Sequence, residues 1–155
     1  MTQSYSRKSW SNVAFSPVSA VITAALLIAG LVIVVVGDTL SGLGLVVAGL
    51  LTFGFSIVRV VADENGLTVR FGLLPWARRR IPLHRIAEAG HREVRAVRDF
   101  GGWGYRFRPG RTGVILRSGD ALIVELTTSG REFAVTVDDA RTGAAVLNGF
   151  VANRP

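Results

Sequence analysis

Between Val18 and Val58 the chain carries a single charge, Asp38. The run from Val18 to Val36 has none, and Ser19 and Thr23 are its only polar side chains. The run from Leu40 to Val58 has none either, and Gly37-Asp38-Thr39 separates the two. A helix needs roughly 20 predominantly apolar residues to cross the hydrocarbon core of a bilayer. The pattern therefore predicts a transmembrane helical hairpin over residues 17–61, with helices at about 18–36 and 40–61. A buried soluble hairpin, or a signal peptide followed by a core helix, is the competing reading. The first run is longer than a typical signal core of roughly 7–15 residues, and no A-x-A site follows it.

The remaining chain has room for one small domain over residues 62–155. The 155 residues include no cysteine, which excludes disulfides, thiolate metal sites and cysteine nucleophiles. The net charge is +7, and sixteen of the eighteen basic residues lie at or after Arg59. Arginine supplies all but one of the basic residues, a bias that fits a GC-rich bacterial source. A basic domain beside a membrane is drawn to anionic headgroups. The same charge would suit nucleic acid, but no helix-turn-helix, zinc or RNA-binding motif accompanies it.

Residues 1–16 read as a short cytoplasmic tail carrying Arg7 and Lys8, with Trp10 and Phe15 at the interface. Positive charge stays in the cytoplasm, so both termini are expected inside a bacterial inner membrane and Asp38 outside. Neither span holds an ionisable residue, which argues against an ion pathway built from this chain alone. Gly44, Ala48, Thr52 and Ser56 recur every fourth residue and give the second helix a face of small side chains. That face packs either on the first helix, which offers Ala20, Ala24, Ala25 and Ala29, or on a neighbouring subunit.

After Arg59 the pattern becomes alternation, the mark of half-buried strands. Asp63-Glu64-Asn65-Gly66 reads as a hairpin turn, followed by Leu67, Val69 and Phe71 on one face. Short strands are expected near 79–82, from about 89 to 97, at 113–117, at 121–127 and at 131–137. Pro109-Gly110, Ser118-Gly119-Asp120 and Ser129-Gly130 supply the turns between meandering antiparallel hairpins. A C-terminal amphipathic helix follows, capped by Thr136 or Asp138 with Asp139 in its first turn. Ala140, Ala144, Leu147 and Val151 mark its apolar face.

About seven strands and one C-terminal helix resemble a pleckstrin-homology-like barrel. The arrangement is similar to bacterial membrane proteins in which a two-helix hairpin leads into such a domain. The residues that carry the likeness are Asp63-Glu64-Asn65-Gly66-Leu67, Gly101-Gly102-Trp103-Gly104-Tyr105-Arg106, and Gly130-Arg131-Glu132-Phe133 running into Thr136-Val137-Asp138-Asp139. The expected fold is thus α+β: a transmembrane hairpin, then a small antiparallel barrel or sandwich closed by a helix. The resemblance implies a non-catalytic module for assembly or membrane-proximal binding. Eukaryotic relatives that bind phosphoinositides place basic residues in the first hairpin loop. Here that loop is acidic, which argues against specific inositol-phosphate binding there.

No pairing of nucleophile, base or carboxylates points to catalysis. His84 and His91 read as ordinary strand or turn residues, and no cofactor is implied. Gly101-Gly102-Trp103-Gly104 lacks the helix and Gly-Lys-Ser/Thr that a phosphate loop needs, so its glycines are read as allowing a bulge or tight crossing. Arg78, Arg79 and Arg80 beside Trp76 form the sharpest feature: either a contact with anionic headgroups or a solvated edge-strand run. Trp103, Tyr105, Arg106, Arg108 and Arg111 form a second basic-aromatic cluster that would face lipid, a partner or solvent. Expected partners are membrane lipids and another membrane protein or a second copy of the chain. The expected role is scaffolding at the cytoplasmic membrane face, with an anionic-lipid sensor or an accessory subunit of a membrane enzyme or transporter as alternatives.

Overall fold

A computed structural model describes residues 9–54, 56–72 and 77–154. The chain is α+β, with two sheets and four α-helices among these residues. The first sheet has the order β1-β2-β3-β4, comprising β1 (Trp10–Phe15), β2 (Ile57–Asp63), β3 (Gly66–Phe71) and β4 (Arg78–Pro82), all antiparallel. The second has the order β5-β8-β9-β7-β6, comprising β5 (Ile86–Val94), β6 (Gly104–Arg108), β7 (Arg111–Ile115), β8 (Gly119–Leu126) and β9 (Glu132–Thr136).

The helices α1 (Pro17–Val36) and α2 (Thr39–Gly54) stand between β1 and β2, two strands that pair with each other. The register runs from Trp10↔Ala62 to Phe15↔Ile57, and Ser16 N–H donates to the Ser56 carbonyl at 2.9 Å one step beyond. So residues 10–15 are a strand of the first sheet rather than part of a tail. Trp10, expected at the membrane interface, is buried among the residues that line the sandwich. Its register partner, Ala62, lies about fifty positions away, so no local pattern announces the pairing.

Ser16 starts α1 by accepting the Ser19 N–H at 3.3 Å, with Pro17 in the first turn where its missing N–H costs nothing. Gly37 ends the helix at φ 109°, a left-handed cap that suits glycine. The helix α2 stops at Gly54 rather than near 61, because the β-branched Ile57-Val58-Arg59-Val60-Val61 continues the apolar stretch as a strand. Of the two helices, α1, at 20 residues, is long and apolar enough to cross a membrane. The 16-residue α2 is apolar but shorter.

The sandwich core joins Val58, Val60, Leu67 and Val69 of the first sheet to Leu122, Val124, Phe133 and Val135 of the second. The helix α4 (Ala140–Ala152) packs chiefly on β5 and also on β8, β2 and β1, covering one end of the sandwich with Ala140, Ala144 and Leu147. Its cap is Asp139, which accepts the Thr142 N–H at 3.4 Å, in place of the expected Thr136 or Asp138. Thr136 is used elsewhere. Its buried hydroxyl accepts from Leu116 N–H at 2.9 Å, just past the last β7–β9 pair.

Two further features depart from a simple meander. The pair β7–β9 is parallel, so the second sheet is mixed. A short helix α3 (Ala96–Phe100) lies where a strand was expected to continue, and Phe100 with Ala96 covers the outer face of the second sheet over Ile115, Ala121, Ile123 and Ala134. That is why β8 reads as an unbroken Ala-Leu-Ile-Val run: it is buried on both faces. At the β2–β3 turn Glu64 and Asn65 keep negative φ, and Gly66 takes φ 117° against the Ile81 and Pro82 backbone, which leaves no room for a Cβ.

Candidate binding surface

Alternation along the first sheet sends Val58, Val60, Ala62, Leu67, Val69 and Ile81 into the core. The residues between them face outward, and the strand registers arrange them in rows. One row reads Val13, Arg59, Arg70, Arg78 across all four strands, through the pairs Val13↔Arg59, Arg59↔Arg70 and Arg70↔Arg78. The next reads Ser11, Val61, Thr68, Arg80. Nearer the helices lies the pair Phe15↔Ile57, with Phe15 45% exposed. All four arginines are exposed.

Directly opposed residues in a sheet stand about 5 Å apart, and like charges so placed destabilise it. The ion pairs Arg92–Glu132, Arg111–Glu132 and Arg117–Asp138 all lie off this face, and none of its four arginines pairs with a carboxylate among the described residues. Asp63, at the far turn, accepts its own Asn65 N–H at 2.8 Å. The sheet therefore presents four unneutralised guanidinium groups, each a planar fork suited to phosphate.

The run Arg78-Arg79-Arg80 is thus split. Arg78 and Arg80 join Arg59 and Arg70 outside, while Arg79 takes the same side of β4 as Ile81. Arg79 lines a cavity of about 180 Å³ with Ile81, Tyr105, Phe107 and Arg131. A second cleft of about 320 Å³ opens alongside, walled by Val58, Phe71, Ala77, Tyr105, Val114 and Leu116. Tyr105 belongs to both and meets Phe71 edge to face, with centroids 6.0 Å apart. Phe107 is 70% exposed on the β6 edge. Trp76 lies outside the described residues.

The second basic cluster does not converge. The Arg106 Nε donates to the Trp103 carbonyl at 2.9 Å, and its guanidinium fills the space beside Gly102. Arg108 occupies the space beside Gly101 in the same way. Arg111 approaches Glu132 at 3.8 Å, while Arg92 bonds the same carboxylate at 2.9 Å. The glycine-rich segment is therefore a loop folded under two arginines, with Trp103 half exposed at its tip. His84 sits in a 3₁₀ turn and His91 on β5, and no group of metal-binding side chains forms among the described residues.

The contact between α1 and α2 does not run through Gly44. A Cβ on Gly44 would meet nothing within 4 Å, so Gly44 faces away from α1. The close approach is at Gly42 and Gly49. A Cβ on Gly42 would come within 2.6 Å of the Gly30 carbonyl, and one on Gly49 within 3.1 Å of Leu27. Thr52 and Ser56 turn their hydroxyls back to the Ala48 and Thr52 carbonyls at 2.8 and 3.0 Å, so neither bridges the helices. Sequence reasoning missed Arg59 and Arg70 as site residues. Each occupies a polar position in an apolar alternation, but only the register places them beside Arg78. Comparison with family models, curated proteins and solved structures finds no match for this chain.

Proposed function

We propose that this chain is a membrane-anchored, non-catalytic binding protein. In this reading α1 and α2 cross the bacterial cell membrane as a hairpin, with Asp38 outside and both termini cytoplasmic. The two sheets and α4 form a pleckstrin-homology-like module held at the cytoplasmic face, where it scaffolds a membrane complex or a second copy of the chain.

The observation that carries this reading is the isolation of the helical pair. The helices pack on each other and make no more than marginal contact with either sheet. They leave Val21, Leu31, Val35, Val36 and Leu40 between 64% and 85% exposed. An apolar surface that size, unpartnered in water, would drive aggregation. In lipid it needs no partner. The length of α2 is about 24 Å, a few ångström short of the hydrocarbon thickness, and local bilayer thinning absorbs such a mismatch at modest cost. The uncharged stretch also continues to Val58.

The absence of cysteine permits a direct topology test. Asp38→Cys and Asp120→Cys are expressed separately and treated with a membrane-impermeant maleimide in intact spheroplasts. The first is expected to label without permeabilisation and the second only after it. Release of the protein by salt or carbonate without detergent, or labelling of Asp38→Cys only after permeabilisation, would overturn the proposal.

A further inference from the structure

We infer that the outward face of the β1–β4 sheet is a docking shelf for the phosphates of anionic lipids, with Arg59, Arg70 and Arg78 as its leading row and Arg80 behind. The inference rests on the membrane anchoring proposed above and names what the anchored module binds.

Depth selects the occupant. The strand β1 ends at Phe15 immediately before the Ser16 cap of α1, and β2 begins at Ile57 soon after α2 ends at Gly54. Phe15 and Ile57 thus lie level with the helix bases. The arginine row begins two residues further along the strands, or about 7 Å at roughly 3.4 Å per residue. The polar headgroup layer on each side of a bilayer is about 5–7 Å deep. The row therefore starts where the phosphates are, with the Phe15–Ile57 pair above it at the hydrocarbon boundary. Arg80, two residues further out, reaches back along its flexible stem.

Charge selects it independently. Three neighbouring strands each place an arginine in one row, and no carboxylate of the described residues neutralises them. A row of lipid phosphates removes the mutual repulsion and accepts paired N–H bonds from each guanidinium. The acidic β2–β3 turn, Asp63 and Glu64, lies at the opposite end of the strands from the helices, away from a negatively charged leaflet. Each arginine near an anionic surface contributes on the order of fivefold to binding, so the leading row contributes on the order of a hundredfold to docking.

The test uses the full chain with Thr68→Cys carrying a fluorophore, since Thr68 lies on this face between Val61 and Arg80. The protein is placed in nanodiscs of phosphatidylcholine alone, or of equal parts phosphatidylcholine and phosphatidylglycerol. Both contain a trace of headgroup-nitroxide lipid as quencher. Quenching is expected to be strong in the anionic disc, weak in the neutral one, and lost in molar salt, where the screening length falls to about 3 Å. The combined Arg59→Gln, Arg70→Gln and Arg78→Gln variant is expected to lose the quenching. Combined Arg85→Gln, Arg98→Gln and Arg141→Gln, which removes the same charge from exposed positions elsewhere, is expected to keep it. Equal quenching in both discs, or quenching that survives the first variant, overturns the proposal. So does an acidic protein that the first variant releases while lipid contact is unchanged. Failure to enter either disc overturns the anchoring as well, whereas entry without a difference between discs overturns the shelf alone.

Discussion

Gly143 and Gly149 sit on the same helix, yet replacing each with alanine should move stability in opposite directions. Alanine is the better helix former by about 1 kcal/mol, so propensity alone favours both changes. At Gly149 an added Cβ meets nothing within 4 Å, and the gain should appear in full. At Gly143 the Cβ would stand 2.9 Å from two carbons of the Trp10 ring and 3.1 Å from a third. Carbon contacts are optimal near 3.5–4.0 Å, so three rigid ring atoms must retreat by about half an ångström or more. The ring has little freedom to do so. It is 8% exposed, and its Nε1–H points to the Asp139 carboxylate at 3.4 Å. Overpacking of this kind costs about 1–3 kcal/mol. Gly143→Ala should therefore destabilise by about 1 kcal/mol where Gly149→Ala stabilises by about 1. The gap of about 2 kcal/mol corresponds to roughly 8–16 °C for a module of this size. Urea denaturation of the full chain in mild detergent, followed by far-ultraviolet circular dichroism, measures it. Equal stabilisation by both changes would mean that the Trp10 ring is not against α4. Residues 10–15 would then not belong to the module, and the account of a hairpin inserted between paired strands would fail with them.

Two other expectations follow from the same geometry. Gly42→Leu forces α1 and α2 apart, because the obstacles are the Gly30 carbonyl at 2.6 Å and the Val34 amide at 2.7 Å, whereas Gly44→Leu points into open space. Hydrogen exchange of α1 in detergent should rise sharply for the first and stay unchanged for the second, and an equal rise for both would refute the assignment of the contact face. The Asp139 carboxyl is held below the usual aspartate value by its hydrogen bond with Thr142, with a smaller contribution from Trp10. Its stabilising effect is present above the unfolded value of about 3.9 and is lost as pH falls through the lower folded value. Asp139→Asn should flatten the acid limb of a stability–pH profile, and an unchanged limb would show that this cap does not titrate with folding.

The elements legible in the sequence are those whose signal is local. Asp63 to Gly66 announces its turn, Ala140 to Val151 carries its own periodicity, and the two uncharged runs stand out by composition alone. The rest depends on partners distant in the chain. The strand Trp10–Phe15 is recognisable only beside Ile57–Ala62. Hydropathy cannot see where α2 becomes β2, because Ile57 and Val58 are as apolar as the helix before them. The parallel pair β7–β9 joins segments separated by β8, which turn signals order as a meander. The arginines show the limit most clearly. Arg78, Arg79 and Arg80 look like one cluster because they are consecutive, but a strand sends neighbours to opposite faces. Register separates Arg79 from them and supplies Arg59 and Arg70 instead.

Inserting the helical pair between adjacent strands has a mechanical consequence. Paired strands lie about 4.8 Å apart, whereas packed helices need about 8–10 Å between axes. Helices rising from neighbouring strands must therefore start close and stay close. The chain meets this demand with glycine where they meet, at Gly30, Gly42 and Gly49, and with Ser16 bonding Ser56 at the base. On the α1 side a single residue, Ser16, separates the last residue of the strand from the first of the helix. A tilt of α1 is then passed to β1 through one residue, and from β1 to its paired strand β2, which carries Arg59. A flexible tether would let the module find its own distance from a membrane. Under the anchoring proposed above, that distance would be set by covalent continuity and the strand rise, so position along β1 and β2 would decide which residues meet the headgroups.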